Sequence, residues 1–313
     1  MKVSIIICTS NRASDLQETL AVMDKVLVPE GIQCELVVVD NASTDNTRVV
    51  IESTKLSRMP VRYIYEAKRG KGNAYNAGMA QATGDIFLWT DDDVRPPHHW
   101  IEGMCRPILS GEADAVAGGV KMAPHLERPW MTMMHRSWLA ETARLDAESP
   151  DDMVGANMAF SREVLSKVPA FDTELGPGAL GFADDTLFSY QLKLAGYKIA
   201  SALDVVVEHH FDESRLLRSS FLDSARKFGR TQIYLYYHWQ HNIIPLPHLR
   251  MNKRILQLAL QVIAHPKASR VVEGISPGEA ELQREFHFYK QYLVERKRPH
   301  NYEKLGLVKL PAQ

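Results

Sequence analysis

Short apolar runs rich in β-branched residues alternate with stretches of helical periodicity through the first 120 residues of the chain. Continuous apolar runs predict buried strands, whereas apolar residues three and four positions apart predict helices. The predicted strands are 3–9, 34–40, 61–66, 85–90 and 113–120, and the predicted helices between the first four are 13–27, 43–56 and 70–84. Strands that alternate with helices favour a mostly parallel sheet covered on both faces. We therefore expect an α/β fold with a Rossmann-like sheet flanked by helices.

Helical periodicity replaces this alternation after about residue 210. The stretch 214–240 is helical, basic and aromatic, and two further helical stretches follow at 252–272 and 277–298. A chain of 313 residues has room for one large domain with an appendage. We expect an α/β domain at 1–210 and a helical C-terminal region at 211–313.

The composition limits which partners the protein can bind and in which cellular compartment it can function. The formal net charge is −1, so no basic field points to nucleic acid. Cys8, Cys34 and Cys105 are scattered and form no CxxC pair, which favours a reducing compartment without disulfides or zinc–thiolate sites. The first apolar run is too short for a signal sequence, and no apolar stretch approaches the ~18 residues that span a bilayer. We expect a cytoplasmic protein.

Three consecutive aspartates, Asp91, Asp92 and Asp93, follow the predicted strand 85–90. Adjacent carboxylates repel one another, and removing them from water costs free energy. Residues two apart on an extended segment point the same way, so Asp91 and Asp93 can converge. Two carboxylates together with phosphate oxygens and waters suit Mg²⁺ or Mn²⁺. The alternative is a solvated aspartate-rich turn, but the buried strand before the triplet favours the metal site.

Polar side chains also end the first two predicted strands. Thr9, Asn11 and Arg12 follow the first strand, and Asp40 ends the second. In sheets of this type, ligands bind outside the carboxyl ends of the strands. A glycine-rich loop with Lys71 follows the third strand, and it matches neither the Walker A nor the GxGxxG pattern. A diphosphate can still bind at such a helix start.

Two more titratable pairs lie at the ends of predicted elements. Asp184 and Asp185 begin an amphipathic helix, where carboxylates either cap the helix or act as a general base. His209 and His210 close a predicted strand at 205–210. A histidine at this position is either structural or, in a chain that needs a metal, a third ligand.

Seven sequence motifs in order resemble those of family 2 glycosyltransferases. They are TSNR (9–12), VVVDNASTDNT (37–47), RGKGNAYNAG (69–78), ATGDIFLWTDDDV (82–94), VGANMAFSRE (154–163), FADDTLFSYQLKLAGY (182–197) and VVVEHH (205–210). The resemblance extends over about residues 1–230. It implies the GT-A fold and an inverting hexosyltransferase that uses a nucleotide-sugar. It also implies a nucleotide-sugar half at about 1–120 and an acceptor half at about 121–210.

The resemblance implies a nucleotide-sugar site at the strand ends. Its residues would be Thr9, Asn11, Arg12, Asp40, Lys71, Asp91 and Asp92. Within this set, Asp40 would accept a hydrogen bond from the nucleobase, usually uracil. Lys71 would contact the nucleotide or its diphosphate.

The resemblance also implies a metal site and a catalytic base. The ligands of Mn²⁺ or Mg²⁺ would be Asp93, Asp91 and His209, with His210 as the alternative histidine. Asp185 would be the general base, and Asp184 keeps a carboxylate where the family commonly has glutamate. The segment 155–160 would face the acceptor.

The implied reaction moves a sugar, with a UDP-sugar as the favoured donor, to a hydroxyl of a carbohydrate or lipid-linked acceptor. Such a reaction belongs to the synthesis of polysaccharides, glycolipids or other glycoconjugates. One alternative is a catalytically weak nucleotide-sugar-binding protein, but retention of Asp93, Asp185 and His209 argues against it. An NDP-sugar nucleotidyltransferase would have a glycine-rich, arginine-containing loop after the first strand. A haloacid-dehalogenase-type phosphatase would have its aspartates after the first strand rather than the fourth.

The segment 215–245 interleaves basic residues with aromatic and aliphatic ones. This combination suits the membrane–water interface, where anionic lipid attracts Lys and Arg. It predicts a peripheral contact with the inner face of the membrane. The competing interpretation is that the apolar residues cover the protein core while the arginines face water.

Overall fold

The computed structural model describes residues 1–148, 150, 152–266 and 270–311. Their packing separates two compact units. The first, called the sheet unit, comprises Met1–Glu127, Ala140–Ala179 and Asp184–Phe211, and the second, called the helical unit, comprises Arg128–Leu139, Leu180–Ala183 and Asp212–Gln313. Every residue singled out above as a candidate ligand or catalyst belongs to the sheet unit.

The described part of the sheet unit forms one eight-stranded sheet. Its strands are β1 (Lys2–Thr9), β2 (Gln33–Asp40), β3 (Val61–Tyr65), β4 (Ile86–Asp91), β5 (Val94–Arg95), β6 (Ala115–Met122), β7 (Asn157–Ser161) and β8 (Ile199–His209). Their order across the sheet is β3-β2-β1-β4-β7-β6-β8-β5. The helices, in chain order, are α1 (Ala13–Met23), α2 (Thr47–Ser53), α3 (Lys71–Gln81), α4 (Trp100–Leu109), α5 (Met133–Trp138), α6 (Asp184–Leu194), α7 (Arg218–Tyr234), α8 (Pro247–Ala264) and α9 (Pro277–Glu295).

The predicted α/β fold is confirmed, and the five strands predicted in the first 120 residues form within two residues of their expected ends. β1, β2, β3 and β4 pair in parallel, as do β6 and β8. β7 is antiparallel to both of its neighbours, and β5 is antiparallel to β8. The sheet is therefore mixed, because β7 enters its centre from the opposite direction.

β1 is buried on both faces, and its polar residues lie at its carboxyl end, where the strand leaves the core. Ile5, Ile6 and Ile7 are fully buried, as continuous apolar strands of parallel sheets usually are. A Cβ on Gly78 would lie 2.8 Å from Ile6 Cγ2, so glycine allows α3 to pack close against β1. The start of α3, with Lys71, is thereby brought beside the carboxyl end of β1.

Asn157 lies at the start of β7, a strand that the sequence pattern did not predict. This fully buried side chain donates from Nδ2 to the carbonyls of Gly119 and Val205, at 2.8 Å each. Its Oδ1 accepts from Trp100 Nε1 at 2.8 Å. A Cβ on Gly118 would lie 2.2 Å from Asn157 Nδ2, so this strand position has no room for a side chain. One amide thus joins β7 to β6, β8 and α4.

The helical unit packs α7 and α8 against α9. Phe221, Ile233 and Tyr234 of α7 are buried, and a π-helical turn, Leu235–Trp239, continues the helix. Buried His238 in that turn contacts Glu295 at the end of α9, with 3.0 Å between Nε2 and Oε2. Most of the large apolar residues of 215–245 are therefore buried or half-buried, as the competing interpretation of this segment expected, whereas Leu217 and Ile243 are exposed. Among the described residues, no helix is long and apolar enough to cross a bilayer.

Candidate active site

The carboxyl ends of β1, β2 and β4 lie side by side. Thr9 pairs with Asp40 in the β1–β2 register, and Cys8 pairs with Asp91 in the β1–β4 register. The polar residues that follow these strands therefore meet at one edge of the sheet. Several of the predicted nucleotide-site residues are brought together in this way.

Each aspartate of the triplet has a different partner. Asp91 Oδ1 contacts Lys71 Nζ at 2.6 Å. Asp92 Oδ2 accepts from the Thr9 hydroxyl at 2.6 Å, and Asp92 and Asp93 are both nearly fully buried. Asp93 Oδ2 lies 3.3 Å from His209 Nε2. The carboxylates are therefore not a solvated turn.

Arg12 joins two aspartates of the triplet and a third carboxylate. Its Nη1 contacts Asp92 Oδ1 at 3.0 Å, its Nη2 contacts Asp93 Oδ2 at 2.8 Å, and its Nε contacts Asp15 Oδ2 at 2.9 Å. The planar guanidinium is suited to such forked contacts. The structure places Arg12 on carboxylates, whereas the sequence predicted a contact with the nucleotide, which stays a prediction.

The pKa values reflect this crowding of charge. Burial raises the pKa of Asp92 to about 7 in spite of the opposing charge of Arg12. Burial alone would lower the pKa of Arg12, but Asp92 and Asp93 outweigh that effect and raise it. Burial alone would also lower the pKa of Lys71, but the charge of Asp91 outweighs that effect and raises it. Both cations stay protonated because carboxylates face them.

Asn11 and Asp40 hold the loop that precedes α2. Asn11 adopts a left-handed conformation, with φ 54°, and its Oδ1 accepts from the backbone amide of Thr44 at 2.7 Å. Asp40 accepts from the backbone amide of Ser43 at 2.9 Å and from the Tyr63 hydroxyl at 3.1 Å. Burial and this contact with Asp40 raise the pKa of Tyr63 to about 12. Because residues 43 and 44 are bound in this loop, α2 begins later than predicted.

The role of Asn41 was not predicted from the sequence. Its Nδ2 donates to the carbonyls of Glu66 and Lys68 at 3.0 and 2.7 Å, and its Oδ1 accepts from the amide of Gly70 at 2.8 Å. This side chain fixes the glycine-rich loop just before Lys71. Its position directly after Asp40 is the signal that could have found it.

A second cluster surrounds Gly155, at the start of the predicted acceptor segment. A Cβ on Gly155 would lie 2.5 Å from Tyr75 Oη and 3.5 Å from both Lys71 Nζ and Asp185 Oδ2. Tyr75 is fully buried, and its hydroxyl has no hydrogen-bond partner among the described residues. The sequence did not single out Tyr75, because a tyrosine one helical turn after Lys71 is indistinguishable from ordinary core packing.

Asp184 and Asp185 begin α6, as predicted. Asp185 Oδ2 accepts from the amide of Gly155 at 2.9 Å, and its Oδ1 accepts from the amide of Thr186 at 2.8 Å. Burial, followed by the charge of Asp184, raises the pKa of Asp185 to about 7. Buried Asp184 also has a raised pKa, again chiefly through burial. A carboxylate with a pKa near neutrality can exchange protons at physiological pH.

The β8 register separates the two candidate histidines. His209 is buried and faces Asp93, whereas half-buried His210 directs its Nε2 at Glu208 Oε1, 2.5 Å away. No group of three or more His, Cys, Asp or Glu side chains within the described ranges is arranged to hold a metal ion. The donors that the structure brings together are the pair Asp93 and His209.

Comparison with known proteins shows the family to which this sequence belongs. The family described as Glycosyl transferase family 2 matches residues 4–168, more than half of the 313 residues. An uncharacterized glycosyltransferase of Nostoc sp. is 40% identical over 102 residues, which are 31% of this chain and 30% of that protein. The chain thus spans less than a third of that relative's length. Glycosyltransferase AglE of Haloferax volcanii is 25% identical over 266 residues, which are 83% of this chain and 80% of that protein.

A solved structure shares the fold. The mannosyltransferase PcManGT from Pyrobaculum calidifontis, in complex with GDP-Man and Mn²⁺, superposes with a TM-score of 0.61. The superposition covers 94% of this chain and 86% of that chain at 18% sequence identity. At this identity the likeness concerns the fold alone.

We expect Arg12→Lys to lower the free energy of unfolding by about 1–3 kcal/mol, because one ammonium group cannot replace a fork that contacts three carboxylates. Denaturant unfolding at pH 7 measures the change. The matched control is Arg48→Lys, since Arg48 makes an exposed pair with Glu52 and should change stability by no more than about 0.5 kcal/mol. Equal effects of the two substitutions would contradict the account of Arg12.

Proposed function

Because this chain belongs to glycosyl transferase family 2, we propose that it transfers a sugar from a nucleotide-sugar to an acceptor hydroxyl, with inversion at the anomeric carbon. The observation that carries the proposal is the position of Lys71. Its Nζ contacts Asp91 of the triplet, and it also lies beside Gly155 and Asp185. One cation thus lies between the carboxylates proposed for the donor and the carboxylate proposed as base.

The proposed donor site lies at the carboxyl ends of β1, β2 and β4. Its residues are Thr9, Asn11, Arg12, Asp40, Lys71, Asp91 and Asp92. An ionised aspartate only accepts hydrogen bonds, so buried Asp40 favours a nucleobase that presents an N–H group. Uracil does so, and a UDP-sugar is the proposed donor. Guanine presents such groups too, and the Pyrobaculum structure contains GDP-Man, so a GDP-sugar is the alternative.

We propose Mn²⁺ or Mg²⁺ as the cofactor, held by Asp93 and His209. Support comes from their donor atoms, a carboxylate oxygen and an imidazole nitrogen 3.3 Å apart, which suit Mn²⁺. Two protein ligands suffice where diphosphate oxygens and waters complete the coordination shell. Asp91 is the third proposed ligand through its Oδ2, since Oδ1 is the oxygen that contacts Lys71. A bound metal would neutralise charge on the leaving diphosphate.

In the proposed reaction, the acceptor oxygen forms a bond to the anomeric carbon while the bond from that carbon to the diphosphate oxygen breaks. The hydroxyl proton passes to Asp185, whose pKa of about 7 lets it accept a proton at neutral pH. The amide of Gly155 orients this carboxylate through Oδ2. Lys71 offsets the negative charge that develops on the departing nucleoside diphosphate. Attack from the face opposite the leaving group gives the inverted product.

The remaining parts of the proposal concern the acceptor and the domains. The proposed acceptor is a carbohydrate or a lipid-linked molecule, and the segment 155–160 lines its side of the site. Residues 1–210 form the catalytic domain, and 211–313 form the helical region. The reaction would serve the synthesis of a polysaccharide, a glycolipid or another glycoconjugate.

A donor panel tests the proposal as a whole. In the presence of Mn²⁺, UDP-sugars should raise the free energy of unfolding by about 1.4 kcal/mol at tenfold excess over Kd. Thermal unfolding with UDP-, GDP-, ADP- and CDP-sugars measures this, and release of the nucleoside diphosphate separates turnover from mere binding. A larger shift with GDP-sugars would identify a GDP-sugar as the donor. No shift with any nucleotide-sugar would contradict the proposal.

We expect Asp93→Ala to abolish metal-dependent donor binding because it removes one of the proposed ligands. Calorimetric titration of UDP with and without Mn²⁺ measures the loss, and circular dichroism checks the fold. His209→Gln should show the same loss of metal dependence. Asp204→Ala removes an exposed carboxylate on β8 and should bind as the unaltered protein does. Unchanged Mn²⁺-dependent affinity in Asp93→Ala would rule out this site.

Asp185→Asn should keep donor binding and lower turnover by about 10²–10⁴-fold, because an amide of the same size cannot accept the proton. In the unaltered protein the rate should fall tenfold per pH unit below about pH 7, where Asp185 becomes protonated. The pH profile of UDP release checks both statements.

Asp184→Asn is the matched control for the base. Because the charge of Asp184 raises the pKa of Asp185, its removal should move the acidic limb of the profile to lower pH. Near-native turnover in Asp185→Asn together with loss of turnover in Asp184→Asn would contradict this account and identify Asp184 as the base.

A further inference from the structure

Helix α8 carries an apolar stripe whose side chains are mostly exposed. The stripe consists of Leu249, Leu256, Leu260 and Ile263, which are 65, 61, 55 and 75% exposed. Their spacings of seven, four and three residues place them on one side of a helix. We call these four residues the α8 stripe. Ile243 and Leu246, in the segment that leads into α8, are also more than two-thirds exposed.

The other side of α8 is fixed by contacts with α9. Met251 packs against a buried cluster that contains Tyr289 and Tyr292. Arg254 Nε contacts Glu285 Oε2 at 2.7 Å. These two anchors set the rotation of the helix about its axis. The outward direction of the stripe is therefore a property of the packed unit, not of a loosely attached helix.

The charged side chains of α8 itself all carry the same sign. The sequence contains no Asp or Glu between residues 224 and 272. Lys253 lies four residues after Leu249 and three before Leu256, so it shares their side of the helix, and it is exposed together with Arg250. Arg254, by contrast, is balanced by Glu285 on the α9 side. The surface thus combines apolar side chains with cations on one helix.

We propose that the α8 stripe docks on the surface of an anionic lipid bilayer, with α8 lying in the plane of the interface. Apolar side chains on one side of a helix enter the boundary between headgroups and acyl chains, while Lys and Arg bind anionic headgroups. A second copy of this chain fits less well, because α8 offers no carboxylate to the Lys253 of a partner helix. The site differs from 215–245, whose large apolar residues are mostly buried or half-buried. The inference does not depend on the sugar, acceptor or metal proposed above.

Flotation of the full chain with vesicles tests the proposal. Vesicles of phosphatidylcholine mixed with phosphatidylglycerol should carry the protein upward, more at low salt than at high salt. Vesicles of phosphatidylcholine alone should carry less. The double variant Leu256→Gln/Leu260→Gln should lose binding by about tenfold or more, because it removes the centre of the stripe. Lys253→Glu should weaken binding to anionic vesicles only.

The matched control is Leu27→Gln, a leucine of the sheet unit that is 50% exposed and should leave flotation unchanged. Release of the nucleoside diphosphate without lipid should be the same in the unaltered protein and in the three variants. Absence of binding to anionic vesicles at low salt, or equal binding by the double variant, overturns the proposal. So does equal binding to both vesicle types, which removes the role of charge. Light scattering supplies a further outcome: a dimer that the double variant dissociates would assign the stripe to self-association and overturn membrane docking.

Discussion

Three adjacent carboxylates at the end of a buried strand are the constraint on which the rest of the site depends. In a poorly solvated position such groups raise one another's pKa and take up protons unless cations face them. The chain supplies these cations from two distant places, Arg12 after β1 and Lys71 at the start of α3. Parallel pairing of β1 with β2 and β4 brings the segments together. The sheet register and the charge balance are therefore satisfied by the same arrangement, and neither can change without the other.

The three aspartates of the triplet contact different partners and are therefore suited to different roles. Asp92 is committed to Thr9 and Arg12, so it belongs to the framework of the site. Asp93 shares Arg12 but also meets His209 from β8, which makes this pair the natural place for a metal in the proposed reaction. Asp91 contacts Lys71, which in turn adjoins Gly155 and Asp185. Donor and acceptor sides of the proposed chemistry are thus connected through one lysine, and a change in its charge would be felt on both.

Local patterns were sufficient to predict what depends on local physics. The β-branched runs gave strand positions because both faces of such strands are buried. β7 and α4 escaped prediction, since they are held by long-range contacts such as those of Asn157. Which of His209 and His210 faces Asp93 is decided by the register of β8. The position of Tyr75 beside the candidate base could not be predicted either, because it depends on contact with Gly155, far along the chain. Helical periodicity likewise indicated α8, but only its packing on α9 shows which side faces outward.

The central claim is that the aspartates of the triplet have different roles. Asp93 binds the metal together with His209, and Asp91 holds Lys71 where it binds the diphosphate. Crystals grown with UDP and Mn²⁺ test it most directly, because anomalous scattering at the manganese edge locates the ion without reference to the protein coordinates. The account predicts one strong anomalous peak within coordination distance of Asp93 and His209, with the diphosphate between that peak and Lys71. A peak bound only by Asp184 and Asp185, or a bound diphosphate without a peak near Asp93, would contradict it.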